Sequence, residues 1–245
     1  MRVQQTSVLA RKTRTPVSTG ASRAELARNL RFSTKFALIE TAERLFGLHG
    51  FDGISLREIA AEAGQRNVNA VQYHFGSKRG LINAILDFRF RQADELRKEL
   101  HAHRYAGRDM ADLEVRDLLR LIWEPGFMEA PHESGITTFR FHLQYRLNAH
   151  MADHPFYYFN DQSVPIERLG QDQDRPCMYA VARCLRAKLP EIDDASFHKR
   201  TATIDYMFLC SVVEHDNRQR MQGLHSDFDF DLILNMMTAA LSAPT

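Results

Sequence analysis

The residues from 55 to 78 include polar and cationic side chains suited to contacting a nucleic acid. They are Ser55, Arg57, Arg66, Asn67, Asn69, Gln72, Tyr73, His74 and Lys78. An Asn or Gln amide can pair with the edge of adenine, whereas Arg, Lys, His and Tyr can donate to phosphate oxygens. An inert, solvent-exposed helix face would more often carry Glu and Lys. This composition predicts a surface that binds double-stranded DNA.

Two of these cations occupy positions that an isolated helix would not favour. Lys78 and Arg57 each fall in the first turn of a predicted helix, where the helix dipole disfavours a positive charge by about 0.3 to 1 kcal/mol. A phosphate bound near the same helix N-terminus would meet both the free backbone N–H groups and the added charge. We therefore expect both side chains to contact the DNA backbone.

Three predicted helices would position these side chains. The first begins near Thr34, repeats apolar residues every three or four positions, and ends at Gly50. Ser55 and Glu58 form a capping box that opens the second helix. The third covers residues 68–75, with one apolar face and one polar face. The apolar face holds Val68, Val71 and Phe75, and the polar face holds Asn69 and Tyr73. Together these elements predict a helix-turn-helix, which places its second motif helix in the major groove.

Charge is distributed unevenly along the 245 residues. Residues 1–80 have 13 Lys and Arg against 6 Asp and Glu, whereas residues 81–245 have 19 against 25, although the net charge is only +1. This split favours a small polyanion-binding unit joined to a body with another role. We predict a basic, mostly flexible arm at residues 1–32, the DNA-binding domain at 33–80 and a second domain at 81–245. The arm would touch nucleic acid, be an inert leader or be an organelle transit peptide. Within it, Ser22-Arg-Ala-Glu25 is a capping box that could start a short helix through Leu26 and Leu30.

Four short motifs carry a more specific signal. They are Ala42-Glu-Arg-Leu-Phe46, Gly50-Phe51, Ser55-Leu-Arg-Glu-Ile-Ala60 and Tyr73-His-Phe-Gly-Ser-Lys78. Together they resemble the TetR family of transcriptional regulators, over about residues 33–85. The resemblance implies an all-helical fold whose N-terminal domain binds operator DNA as a dimer, and a C-terminal domain that binds a small effector.

The resemblance also implies roles for individual residues. Arg57, Tyr73, His74 and Lys78 would contact DNA, while Phe75 would be a core residue and Ser77 would cap the connecting helix. The segment 63–70 is one residue longer than the usual turn and start of the recognition helix. The sequence therefore leaves open which side chain of the turn reads a base. The candidates are Gln65, Arg66, Asn67 and Asn69.

Beyond Lys78 the apolar pattern predicts a long helix as far as about His101, which would link the two domains. A break at residues 105–107 precedes another helix, which Pro125 and Gly126 end. The following prolines separate segments that show no alternating strand pattern. The fold class is therefore all-α, with a larger helical domain after the helix-turn-helix.

A predicted helix within the second domain suggests an effector site. Ile136, Phe139, Leu143 and Leu147 share a face, and Arg146 and His150 project close to it, with His142 at its edge. The residues expected to line the site are Trp123, Phe139, His142, Arg146 and His150. Buried cations require partners, so Arg146 either favours an acidic effector or pairs with an acid of its own domain. His150 and His154 have metal-ligand spacing, but Pro155 disfavours a shared helix, and no metal is expected.

The last two predicted helices, at about 194–220 and 228–241, would pair with their counterparts in a homodimer, as the family resemblance implies. The three cysteines form no C-x-x-C pair and favour a reducing, cytoplasmic compartment. No apolar stretch is long enough for a membrane span.

Two classes of function compete at this point. The chain is expected to be a ligand-responsive transcriptional regulator, a repressor released from a two-fold operator by a hydrophobic or amphipathic effector. No enzyme motif occurs, and neither a catalytic residue nor a cofactor is expected. The alternative is a helical enzyme or lipid-binding protein with an accessory nucleic-acid module.

Overall fold

The computed structural model describes residues 23–67, 69–106, 108–128, 134–148, 176–222 and 228–244. In these ranges every regular element is helical, which confirms the all-α prediction. The helices are α1 (Arg23–His49), α2 (Leu56–Glu62), α3 (Ala70–Phe75), α4 (Lys78–Arg104), α5 (Val115–Trp123), α6 (Pro125–Met128), α7 (Ser134–Leu147), α8 (Pro176–Ala187), α9 (Asp194–Gln222) and α10 (Phe230–Leu241), with a 3-10 turn at Met110–Asp112.

The first helix is longer than its apolar pattern indicates. It begins at Arg23 rather than near Thr34, so residues 23–32 are helical and not part of an irregular arm. No proline or glycine interrupts the chain between Arg23 and Gly47, and the helix therefore continues across the predicted boundary. Residues 1–22 lie outside the described part of the chain.

A first hydrophobic core joins α1, α2, α3 and the beginning of α4. Its fully buried members include Phe46, Ile59 and Ile85. Two residues of α7, Phe141 and Tyr145, complete the same core. Gly47 makes this close packing possible, since a Cβ there would lie 3.1 Å from the Cβ of Arg140. The DNA-binding core is therefore closed by a helix from the second predicted domain.

A second hydrophobic core lies at the other end of α4 and is shared by α5, α8, α9 and α10. It includes Leu100, Leu119, Phe208 and Met237. Because α4 contributes residues 81–90 to the first core and Leu100 to the second, this helix joins the two. In its middle part α4 also carries three buried charged residues, Arg89, Asp94 and Arg97.

The helix α7 packs against both α1 and α9 and so provides a second link between the cores. Phe139, Phe141 and Tyr145 of α7 are buried. These residues project from different sides of the helix, so α7 is covered on more than one side. Leu147 is an exception, because it is 62% exposed at the end of the helix rather than part of an apolar face. None of the described helices is long and apolar enough to cross a membrane.

Candidate DNA interface and effector cavity

The second helix of the candidate DNA interface begins with the predicted capping box. The Ser55 hydroxyl accepts from the Glu58 backbone N–H at 3.2 Å, and the Ser55 backbone N–H donates to the Glu58 carboxylate at 2.7 Å. The hydrogen bonds from Ser55 lower the pKa of Glu58. Arg57 is exposed in the same turn. In this arrangement Ser55 holds the helix end while the Arg57 side chain lies in solvent.

The turn from α2 to α3 separates the roles of its two asparagines. Gly64 has a φ of 69°, a left-handed conformation that glycine adopts without steric cost. The Asn67 side-chain oxygen accepts from the Asn69 backbone N–H at 2.9 Å and so stabilises the turn. Asn69 is the N-cap of α3, yet its side chain makes no capping hydrogen bond and is exposed. Asn69 is therefore the better placed of the two to reach outward.

The third helix, α3, presents a polar face to solvent. It begins at Ala70, later than predicted, and Val68 lies outside the described residues. Val71 is buried against the first core, whereas Gln72 is exposed and Tyr73 is 69% exposed. The His74 ring lies edge-on to the Tyr73 ring, with 5.0 Å between their centroids. Asn69, Gln72 and Tyr73 are thus neighbours on one outward face, as the helical spacing predicts.

The first turn of α4 is capped by Ser77 and packs closely against the end of α3. The Ser77 hydroxyl accepts from the Gly80 backbone N–H at 3.0 Å, as predicted for the helix cap. A Cβ on Gly80 would lie 2.0 Å from the Phe75 carbonyl oxygen, so only glycine allows the two helices to approach this closely. Lys78 is half-buried, with its Nζ 5.8 Å from the centroid of the Phe46 ring. Its ammonium is held near the N-terminus of α4 rather than extended freely.

A comparison with known protein families identifies this part of the molecule. Residues 38–85 match the family model described as bacterial regulatory proteins, tetR family. This stretch of the chain is therefore a TetR-family DNA-binding domain. The match covers the helix-turn-helix and the first turns of α4, so the chain is a DNA-binding transcriptional regulator. No curated protein matches the chain at a significant level.

A cavity of about 80 Å³ lies where the two hydrophobic cores meet. Its wall is mainly apolar, with residues from α4, α5, α7, α8 and α9. Three of the predicted effector-site residues, Trp123, Phe139 and His142, line it. The Trp123 ring stacks on Phe208, with ring centroids 4.6 Å apart. His150 lies outside the described residues.

Arg146 does not line the cavity as the acidic-effector hypothesis requires. Its Nε lies 2.8 Å from the Asp205 carboxylate, and its guanidinium lies 5.0 Å from the centroid of the Tyr206 ring. Both members of the ion pair are about nine-tenths buried. The alternative interpretation, an internal pair with an acid of the same domain, is the one that the structure contains. Burial raises the pKa of Asp205 to about 6, although Arg146 opposes the rise.

Three charged residues of the cavity wall were not predicted from the sequence: Arg89, Arg97 and Asp205. Arg89 and Arg97 fall at positions that continue the apolar stripe of α4, and a charge on such a stripe is the signal that could have revealed them. Arg89 pairs with Glu43 of α1, with 2.6 Å between its Nη2 and Oε2 of the carboxylate. Thr138 of α7 donates to the same carboxylate at 2.9 Å. Through Glu43, the cavity wall is bonded directly to the DNA-binding core.

Proposed function

We propose that this TetR-family regulator is a repressor that leaves a two-fold operator when a small effector occupies the cavity between its cores. The observation that carries the proposal is the position of α4. This helix starts at Ser77 beside the candidate DNA-contacting face, and its Arg89 reaches the cavity wall while holding Glu43 of α1. A ligand that moves α4 at Arg89 would therefore move both the start of α4 and α1.

The DNA contacts in this proposal divide into reading and anchoring. Asn69, Gln72 and Tyr73 share the exposed face of α3 and would meet base edges in the major groove. Side chains at the ends of α2, α3 and α4 would meet phosphates, which fix the register of the helix but carry no sequence information. These anchors are Arg57, Arg66, His74 and Lys78. Asn67 and Ser55 would act by holding the turn and the cap.

The partner in this proposal is a second copy of the chain, bound through α9 and α10. Apolar side chains are exposed on both helices: Leu232 and Met236 on α10 are 54% and 48% exposed, and Met221 on α9 is 86% exposed. Leu232 and Met236 are four residues apart and share one face. Large apolar side chains grouped on one surface are typical of a protein interface. The buried face of α10, with Leu234 and Met237, already packs in the second core.

The proposed function can be tested by measuring how ligand binding in the cavity changes the affinity for operator DNA. Half-sites of a two-fold operator lie about one helical turn, or a multiple of it, apart, so a change in the separation of two recognition helices disrupts both contacts together. Ligand and operator should therefore weaken each other's binding, by a typical coupling of about 1 to 3 kcal/mol. The experiment is to measure operator affinity by gel shift, and then ligand affinity with and without operator.

The competing hypothesis gives a different result in the same experiment. A helical enzyme or lipid-binding protein with an accessory DNA module would bind its ligand without regard to DNA. Ligand binding that leaves operator affinity unchanged would therefore reject the repressor mechanism for that ligand. Retained operator binding in a chain that stays monomeric would reject the dimer.

A further inference from the structure

The charges around the cavity form three complete ion pairs. Arg89 pairs with Glu43, and Arg97 pairs with Asp94 at 2.6 Å. Asp205 pairs with Arg146. Each pair has one member among the residues that line the cavity, and its partner is not one of them. Within the described part of the chain, the three cations and the three carboxylates of these pairs balance in charge.

Two of the three carboxylates have several partners. Glu43 accepts from both Nε and Nη2 of Arg89 and from the Thr138 hydroxyl. Asp94 accepts from Arg97 and from the backbone N–H groups of Cys177 and Met178, which places it at the N-terminus of α8. Glu43 therefore links α1 to α4 and α7, and Asp94 links α4 to α8.

Asp205 differs from these two carboxylates. Its contact within the described part of the chain is the single ion pair with Arg146, although an ionised carboxylate can accept about four hydrogen bonds. It lines the cavity, and its side chain is nine-tenths buried. Across the described residues, the indole Nε1 of Trp123 is also buried without a hydrogen-bond partner on the same cavity wall. The Asp205 carboxylate can therefore accept a further hydrogen bond at the cavity, and the Trp123 indole N–H can donate one.

We propose that the effector is an uncharged, largely apolar molecule with a hydroxyl group, which donates to Asp205 and accepts from the indole N–H of Trp123. This inference rests on the proposed function and specifies its ligand. A carboxylate or an ammonium group would add an unbalanced charge to a buried site whose charges already cancel, and such a charge is costly to bury. A hydroxyl provides both a donor and an acceptor without adding charge.

The chain contains a built-in reporter for this site. Trp123 is its single tryptophan, so intrinsic fluorescence observes the cavity directly and independently of DNA. The probes are phenylbutanol, phenylbutyrate and phenylbutylamine at neutral pH, which share an apolar body and differ in the charge of the polar end. Excitation at the red edge of tryptophan absorption avoids the phenyl ring. We expect phenylbutanol to bind at least about tenfold more tightly than either charged probe.

Two variants should change this preference in opposite directions. Asp205→Asn removes the negative charge that faces Arg146, so phenylbutyrate should bind more tightly relative to phenylbutanol. Arg146→Gln leaves the Asp205 carboxylate unbalanced, so phenylbutylamine should gain instead. The double variant removes both charges and should restore the preference for phenylbutanol. Circular dichroism establishes that each variant is folded, and if the single variants unfold, the three affinities of the unaltered protein decide the question.

The outcomes separate this inference from the proposed function. A charged probe that binds as tightly as phenylbutanol, or more tightly, would overturn the neutral-ligand proposal while leaving the cavity as an effector site. No fluorescence response to any of the three probes would overturn the cavity as a ligand site and the proposed function with it. Tight binding of phenylbutanol with unchanged operator affinity would support the ligand class and reject the coupling.

Discussion

The two candidate sites of this regulator use arginine in opposite ways. On the candidate DNA interface, Arg57 and Arg66 are exposed, and within the described residues neither has an ion-pair partner. Around the cavity, Arg89, Arg97 and Arg146 are largely buried and each has a carboxylate within 2.8 Å. Water stabilises an exposed guanidinium until a phosphate replaces the water, whereas a buried one needs a protein carboxylate. Charge at the cavity therefore serves internal structure, whereas the exposed charge of the candidate DNA interface is accessible to a polyanion.

The largest effect that tests this comparison should come from Glu43→Ala. Removing one member of a buried ion pair, here the carboxylate that Arg89 contacts, typically costs about 3 to 5 kcal/mol in the free energy of unfolding. The measurement is urea unfolding followed by circular dichroism. Glu40→Ala is the matched control, because Glu40 is exposed on the same helix and should change stability by about 0.5 kcal/mol or less. Equal stability losses in the two variants would contradict a structural role for the buried pair.

The next effect concerns the pH dependence of stability at the cavity. The pKa of Asp205 is raised to about 6 in the folded protein from an ordinary value of 3.8, so the native state holds this proton more tightly than the unfolded state. The resulting stabilisation is fully present below pH 3.8 and is lost as the pH rises through about 6. The free energy of unfolding should therefore lose at most about 3 kcal/mol over this window because of Asp205. Asp205→Asn should remove that part of the slope, and an unchanged pH profile would argue against the raised pKa.

Replacement of the exposed Asn69 should lower the affinity for the preferred operator without changing the stability of the fold. Asn69→Ala should cost about 1 to 3 kcal/mol in affinity for the preferred operator and little on random DNA, because only a base contact distinguishes sequences. Asn67→Ala serves as the comparison, since it loses the turn hydrogen bond to the Asn69 N–H and should weaken both DNAs alike. Gel shifts on the two DNAs measure the difference. Equal losses for Asn69→Ala on both would limit Asn69 to positioning and direct attention to Gln72.

The smallest effect should come from a phosphate anchor. Lys78→Ala should weaken binding to operator and random DNA by similar factors, and should lower the slope of log affinity against log salt by about one unit. Arg218→Ala is a suitable control, because Arg218 is an exposed cation of α9 and pairs with Glu214 on the same helix. Affinity measured over a series of salt concentrations gives the slope. An unchanged slope in folded Lys78→Ala protein would remove Lys78 from the phosphate contacts.

Some of the features on which these predictions depend could be predicted from the sequence, and others could not. The capping box at Ser55, the cap at Ser77 and the outward spacing of Asn69 and Tyr73 are local patterns, and all were correctly predicted. The extent of α1 was predicted only in part, because the capping box at Ser22–Glu25 indicated a possible short helix but residues 23–32 lack a clear apolar period that would join it to the helix from Thr34. Of the residues predicted for an effector site, Trp123, Phe139 and His142 line the cavity, whereas Arg146 is not among its lining residues and pairs with Asp205. That this cavity binds an effector stays a prediction.

What the sequence by itself determined is the helix-turn-helix and the all-α class, because caps and helix faces depend on residues three or four positions apart. Only the tertiary structure decided which charged side chains are buried and which partners they contact. Glu43 meets an arginine 46 residues away and a threonine 95 residues away, and these contacts exist only after α1, α4 and α7 have packed together. The residue type alone does not distinguish an arginine that becomes buried from one that stays exposed. The difference comes from desolvation, which depends on which helices cover the side chain and not on its neighbours along the chain.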